Sequence, residues 1–143
     1  MTRLKRQRRE RGATIVEAAI TMLLLLMFLD GVLEFGRAYN VYHIMTNAAR
    51  EGARYAVAPQ PGTTSLPSTT QVQSEVNSFL TSGGISGATV AVNTTTQTVN
   101  AVPLTYTVVQ VTAPYNFGVP QLLGLSNTTV NLTTSAEMRN ETN

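Results

Sequence analysis

A glycine, a small residue and a carboxylate stand together at the start of the first apolar segment of this chain. Ala13 follows Gly12, and Glu17 comes four residues after Ala13. A charged side chain inside a membrane costs roughly 2.5–3.5 kcal/mol on insertion scales and usually marks a functional site. This cost predicts that something neutralises Glu17.

A peptide-bond cleavage after Gly12 would supply the neutralising group. The new α-amine of Ala13 is a cation one helical turn from Glu17, and it can pair with the carboxylate of a neighbouring copy. We therefore predict a processing site at Gly12 and Ala13, and an assembly contact made by Glu17 and Ala13.

The residues before Gly12 form a basic leader, residues 1–12, and the uncharged run Ala18–Leu29 follows Glu17. By the positive-inside tendency, the N-terminus is cytoplasmic and the C-terminal part lies outside. A secretory signal peptide is the rival interpretation. It fits poorly, because Asp30 and Gly31 follow Leu29 where a small-x-small cleavage site would be needed.

The charge and composition of the 143-residue chain exclude several functions. Its net charge of +2 resides in the leader, since the remainder carries four basic and seven acidic side chains. A nucleic-acid partner is therefore not expected. Zero cysteines and one histidine argue against disulfides, thiol nucleophiles and Cys- or His-based metal sites. We expect no cofactor, no metal and no enzymatic activity, because no catalytic motif is present.

Residues 13–58 contain no proline and predict one long helix. At 1.5 Å per residue it would measure roughly 70 Å, far more than the ~30 Å hydrocarbon core of a bilayer. Residues 13–33 are the predicted membrane-embedded part, and the rest must project. Asp30 and Glu34 are too few ligands for a divalent ion, and Glu34 is expected to pair with Arg37.

A stripe of residues with alternating spacings of four and three marks one face of this helix. Its first part is aromatic and its second part is small, which favours close approach of the globular domain or of a second helix. Packing within the chain is the simpler interpretation. The predicted packing face consists of Phe35, Tyr39, Tyr42, Ala49, Gly52, Ala53 and Ala56.

The remaining chain predicts a small extracytoplasmic α+β domain, residues 71–143, after a linker at 59–70. A short amphipathic helix carries Val72, Val76, Phe79 and Leu80 and closes at Gly83-Gly84. Threonine and valine alternation then predicts strands at 89–93, weakly at 98–102, at 104–113 and at 128–138. The fold class is α+β: a long N-terminal helix packed on a small antiparallel sheet with one short helix.

The connection before the last strand carries an apolar group. Two interpretations remain, packing onto the helix of the same chain and contact with the membrane or another protein. The group consists of Val119, Leu122, Leu123 and Leu125.

Three stretches carry a resemblance to a known family. On these residues the chain resembles the TadE-like family, whose members are similar to minor pilins or pseudopilins of the tight-adherence (Tad/Flp) type IV pilus apparatus. The position after Glu17 holds Ala18, where Flp-type prepilins commonly place an aromatic residue, which argues against the main fibre subunit. The stretches are Gly12-Ala13 with Glu17, Leu33-Glu34-Phe35-Gly36-Arg37, and Asn47-Ala48-Ala49-Arg50-Glu51-Gly52-Ala53-Arg54-Tyr55-Ala56.

The resemblance implies a non-enzymatic role in Tad/Flp pilus assembly. It implies as partners a prepilin peptidase, other pilins or pseudopilins, and an inner-membrane assembly platform, with membrane lipid around the helix. The implied location is the bacterial inner membrane, in a single pass. The alternative is an uncleaved single-pass protein that displays a Thr-rich binding or adhesive domain.

Overall fold

A computed structural model of the chain describes residues 2–60, 62, 65–99, 101–118 and 129–140. It contains two helices, α1 (Thr2–Val57) and α2 (Thr69–Ser82), and three strands, β1 (Thr89–Val99), β2 (Val102–Asn116) and β3 (Thr129–Arg139). The chain divides into two compact units, Met1–Arg37 and Ala38–Asn143. The fold class is α+β, as the sequence predicts.

Helix α1 begins earlier than the sequence predicts. It starts at Thr2, so the predicted leader is helical and no break separates it from the apolar segment. The reason is local, because Lys, Arg, Gln and Glu in the leader are all good helix formers. The helix ends at Val57, two residues before Pro59, where the restraint that proline places on its predecessor stops it.

Helix α2 begins with a capping box. The hydroxyl of Ser68 accepts a hydrogen bond from the backbone N–H of Gln71, and the Gln71 side chain accepts one from the backbone N–H of Ser68 at 2.8 Å. The preceding segment therefore ends at Ser68 and not at Thr70. The helix ends at Ser82 with Gly83 as its C-cap, and Gly84 follows with a φ of 78° that a glycine adopts without strain.

The three strands form one antiparallel sheet in the order β1-β2-β3. The strand expected at 89–93 and the weak piece at 98–102 do not form separate strands, because β1 continues to Val99 and β2 begins at Val102. β1 and β2 pair without interruption from Thr89 opposite Thr112 to Val99 opposite Val102. The connection contains Ala101, whose φ is 65°. The continuous pairing explains why this Thr-rich segment is extended despite its weak hydrophobic alternation.

The core of the second unit lies between the two helices and one face of the sheet. Helix α2 buries Val72, Val76 and Leu80, whereas Phe79 stays 41% exposed at the margin of this stripe, contrary to expectation. Small residues of α1 allow the three elements to approach closely. The buried cluster also contains Met45, Ala48, Ala49, Ala53, Ala56, Ile85, Val90, Val109, Val111 and Ala113.

Candidate functional site

The predicted processing and assembly residues lie on exposed turns of α1. Gly12, Ala13 and Glu17 are all exposed, and a Cβ atom added to Gly12 would meet nothing within 4 Å. Ala13 and Glu17 are four residues apart and therefore share one side of the helix. Gly12, Val16 and Ile20 lie beside them on a shallow apolar surface. The carboxylate of Glu17 is thus presented from an apolar surface that a partner can reach.

The apolar segment that follows Glu17 is exposed along its length. Leu24 is 61% exposed and Phe28 is 69% exposed. The helix from Gly12 to Val57 is long and apolar enough to cross a membrane, and its most apolar stretch has no buried residue. These properties are compatible with a single-pass membrane protein, because a bilayer would remove the apolar side chains from water.

The expected local ion pair forms at the end of the apolar segment. Arg37 Nη1 donates a hydrogen bond to Glu34 Oε2 at 3.4 Å. The Glu34 side chain is 7% exposed, whereas that of Arg37 is 70% exposed. Glu34 is thus held in a local pair. Within the described residues, no group of three or more acidic, His or Cys side chains is arranged to hold a metal ion.

The predicted packing face divides into an exposed half and a buried half. Phe35, Tyr39 and Tyr42 are 72%, 56% and 43% exposed and do not join the core cluster. Tyr39 instead makes an edge-to-face contact with His43, with 4.3 Å between ring centroids. The small members, Ala49, Gly52, Ala53 and Ala56, are buried. Of this face, the small half is therefore the part that is buried in the core of the described chain.

Gly52 lies at the point where α1, α2 and β2 meet. A Cβ atom placed on Gly52 would overlap Val76 Cγ2 and would lie 3.4 Å from Val109 Cγ1. No side chain fits there without displacement of Val76. Gly52 is therefore required by a close approach of α2 and not by helix geometry.

Sequence reasoning missed two further contacts that α1 makes within the second unit. Gly83 faces Ile44, so that a Cβ atom at Gly83 would press on the Ile44 side chain. The hydroxyls of Thr46 and Thr134 lie 3.3 Å apart and link α1 to β3. Both contacts join residues that are distant in sequence, so the periodicity of a single helix cannot predict them.

A family model described as TadE-like protein matches residues 12–54 of this chain. The similarity to the TadE-like family is therefore found in this segment of α1. This finding confirms the resemblance that the sequence motifs indicate and supports a general role as a minor pilin associated with the Tad pilus. No curated protein and no solved structure matches the chain.

The TadE-like segment begins at Gly12 and contains Ala13, Glu17 and Gly52. Ala56, helix α2 and the sheet lie outside it. The predicted processing and assembly residues and the close approach at Gly52 are therefore parts of one family segment. The apolar group Val119, Leu122, Leu123 and Leu125 lies outside the described residues.

Proposed function

We propose that this protein is a minor pilin or pseudopilin of a Tad/Flp pilus apparatus, processed after Gly12 by a prepilin peptidase. The observation that carries the proposal is the position of Gly12, Ala13 and Glu17 at the start of the TadE-like segment, on exposed turns before an exposed apolar run. Neither catalysis nor a cofactor is part of the proposed role.

The proposed chemistry is an ion pair between subunits. Cleavage after Gly12 leaves the α-amine of Ala13 as a cation, and the Glu17 carboxylate of a neighbouring copy accepts a hydrogen bond from this amine. Taking both charges out of water costs energy that their attraction only partly returns. The value of the pair is then to set the axial position of one helix against the next.

The proposed placement follows from the charges at the two ends of the apolar run. The basic leader stays in the cytoplasm, α1 crosses the inner membrane once, and the second unit lies outside. The proposed partners are the prepilin peptidase, other pilins or pseudopilins, and an inner-membrane platform with its ATPase. In this proposal the ATPase supplies the energy for assembly.

N-terminal sequencing or intact mass measurement of membrane-extracted protein tests the proposal directly. A mature terminus at Ala13 is the expected result. A terminus at Met1 would instead support an uncleaved single-pass protein that displays its domain. The exposed threonines of the sheet, such as Thr95 and Thr133, are the observation that favours this second candidate.

Replacement of Gly12 by valine is expected to block leader removal. A peptidase site shaped around glycine does not accept a branched side chain, whereas the helix itself has open space at this position. Retention of residues 1–12, read by mass, is the expected outcome. Gly31→Val is the matched control, since a Cβ atom there also meets nothing within 4 Å, and its leader should be removed normally. Complete processing of Gly12→Val protein would show that the junction lies elsewhere.

A further inference from the structure

Strand β1 is a long edge strand without the usual protection. It occupies one end of the sheet order and pairs with β2 over its whole length without a bulge. Natural edge strands are generally shortened, bulged, or supplied with proline or charge, because their free backbone groups pair with other chains. From Thr89 to Val99 the strand contains no proline and no charged residue. By contrast, the opposite edge strand, β3, carries Glu137 and Arg139.

The direction of the β1 backbone groups follows from the hairpin. Two residues separate Val99 from Val102, and a hairpin of this length closes with a hydrogen-bonded pair. Pairs then alternate, so that odd-numbered residues of β1 bond to β2 and even-numbered residues point away from it. The Val90 carbonyl is consistent with this alternation, because it points away from β2 and accepts a hydrogen bond from Gln73 Nε2 of α2 at 3.1 Å.

Helix α2 therefore occupies the beginning of this edge and leaves the rest open. The residues from Asn93 to Thr98 are exposed. Each even-numbered residue beyond Val90 offers one N–H and one C=O outward. Among the residues that the structure describes, no hydrogen bond reaches these groups. They belong to Val92, Thr94, Thr96 and Thr98.

We propose that this edge pairs with β1 of a second copy of the chain, antiparallel and centred on Thr95. The open residues are symmetric about Thr95, so a two-fold axis there places Thr94 opposite Thr96 and Val92 opposite Thr98. Every outward N–H then meets an outward C=O of the partner. The absence of charge on β1 means that two identical edges meet without repulsion.

The pairing would join two three-stranded sheets into one continuous sheet. Threonines face each other across the new junction, and such pairs stabilise antiparallel strands. Val90 is excluded from the pairing, because α2 already holds its carbonyl. The proposal does not depend on leader removal or on pilus assembly, and it can therefore stand or fall separately from the proposed function.

Cysteine crosslinking of the full-length protein in membranes tests this pairing. The chain has no cysteine, so a single introduced thiol reports only its own contacts. In Thr95→Cys protein the two thiols lie opposite each other in a pair with Cα atoms about 4.5 Å apart, which a disulfide can bridge. Mild oxidation is expected to give a disulfide-linked dimer that reductant removes.

Thr133→Cys is the matched control, because Thr133 is also exposed on an edge strand of the same sheet. In the proposed dimer its two copies are separated by five strand spacings, roughly 24 Å, and no crosslink is expected. Adding Thr96→Pro to Thr95→Cys should abolish the dimer, since it removes an outward N–H and leaves the β1–β2 bonds in place. Thr94→Lys, which adds a charge to the edge, should do the same.

Protease resistance of the variants verifies that the domain remains folded. The proposal is overturned if folded Thr95→Cys protein gives no more dimer than Thr133→Cys protein, or if its crosslink joins a polypeptide of another mass. It is also overturned if neither folded edge variant, Thr96→Pro nor Thr94→Lys, reduces the crosslink.

Discussion

Loss of pili is expected when Glu17 is replaced by leucine in the only copy of the protein, although the variant is still inserted and cleaved. The side chain is exposed on α1, so its replacement does not disturb the folded domain. Insertion should be at least as efficient as that of the parent, because a penalty of roughly 2.5–3.5 kcal/mol disappears. The amount of pili sheared from a complemented deletion strain measures assembly. The amount of cleaved protein in the membranes of the same strain shows whether the variant is stable.

Two further variants define what Glu17 contributes. Glu17→Gln keeps the size and the hydrogen-bonding capacity but removes the charge, and it too should fail to support normal piliation. Glu75→Gln is the matched control, since Glu75 is an exposed glutamate on α2, outside the TadE-like segment. If the Glu17→Leu protein is cleaved and stably inserted and still supports wild-type levels of pili, the proposed ion pair has no role in assembly.

The second large effect is expected at Gly52, where leucine should destabilise the domain strongly. Even the first added carbon, Cβ, overlaps the Val76 side chain, and the side chain of Val109 is the next nearest. Overpacking of a close-packed core costs roughly 1–3 kcal/mol, a large part of the stability of a small domain. The measurements are the level of accumulated protein, which should fall, and the rate of proteolysis of the second unit, which should rise.

Matched variants distinguish a steric cause from a general effect of substituting glycine. Gly36→Leu, on the same helix but with nothing within 4 Å of the added Cβ atom, should accumulate normally. The Gly52→Ala protein should be destabilised less than the Gly52→Leu protein. Adding Val76→Ala to Gly52→Ala should restore part of the lost stability, because the methyl groups of Val76 that overlap the added carbon are then absent. Equal protease resistance of Gly52→Leu and Gly36→Leu proteins would contradict the close approach at Gly52.

The sequence predicts well those features that depend on local periodicity. The small residues of α1, such as Ala49 and Ala53, mark the buried side of the helix because three- and four-residue spacing places them on one face. The same spacing cannot show where the covering domain stops. Phe35 and Tyr39 continue the stripe and yet remain largely exposed.

The hairpin shows a second limit of prediction from sequence. Its connection holds Ala101 with a φ of 65°, where tight hairpins usually place glycine. The expected turn signal is therefore missing, and the Thr-rich run before it has little hydrophobic alternation. What extends β1 to Val99 is pairing with β2, a partnership between residues that sequence periodicity does not encode. The predicted role of Gly12, Ala13 and Glu17 depends on other subunits and on a peptidase, and it stays a prediction.

The link between Thr46 and Thr134 has a consequence for the order of events during synthesis. The two residues are 88 positions apart, so α1 is made long before the strand that completes its cover. Contacts of such long range form slowly, because a large loop must close first. The cover of α1 by α2 and β2 therefore stays incomplete until β3 has left the ribosome. During that interval, chaperones and proteases can reach apolar side chains of α1 that the finished domain buries.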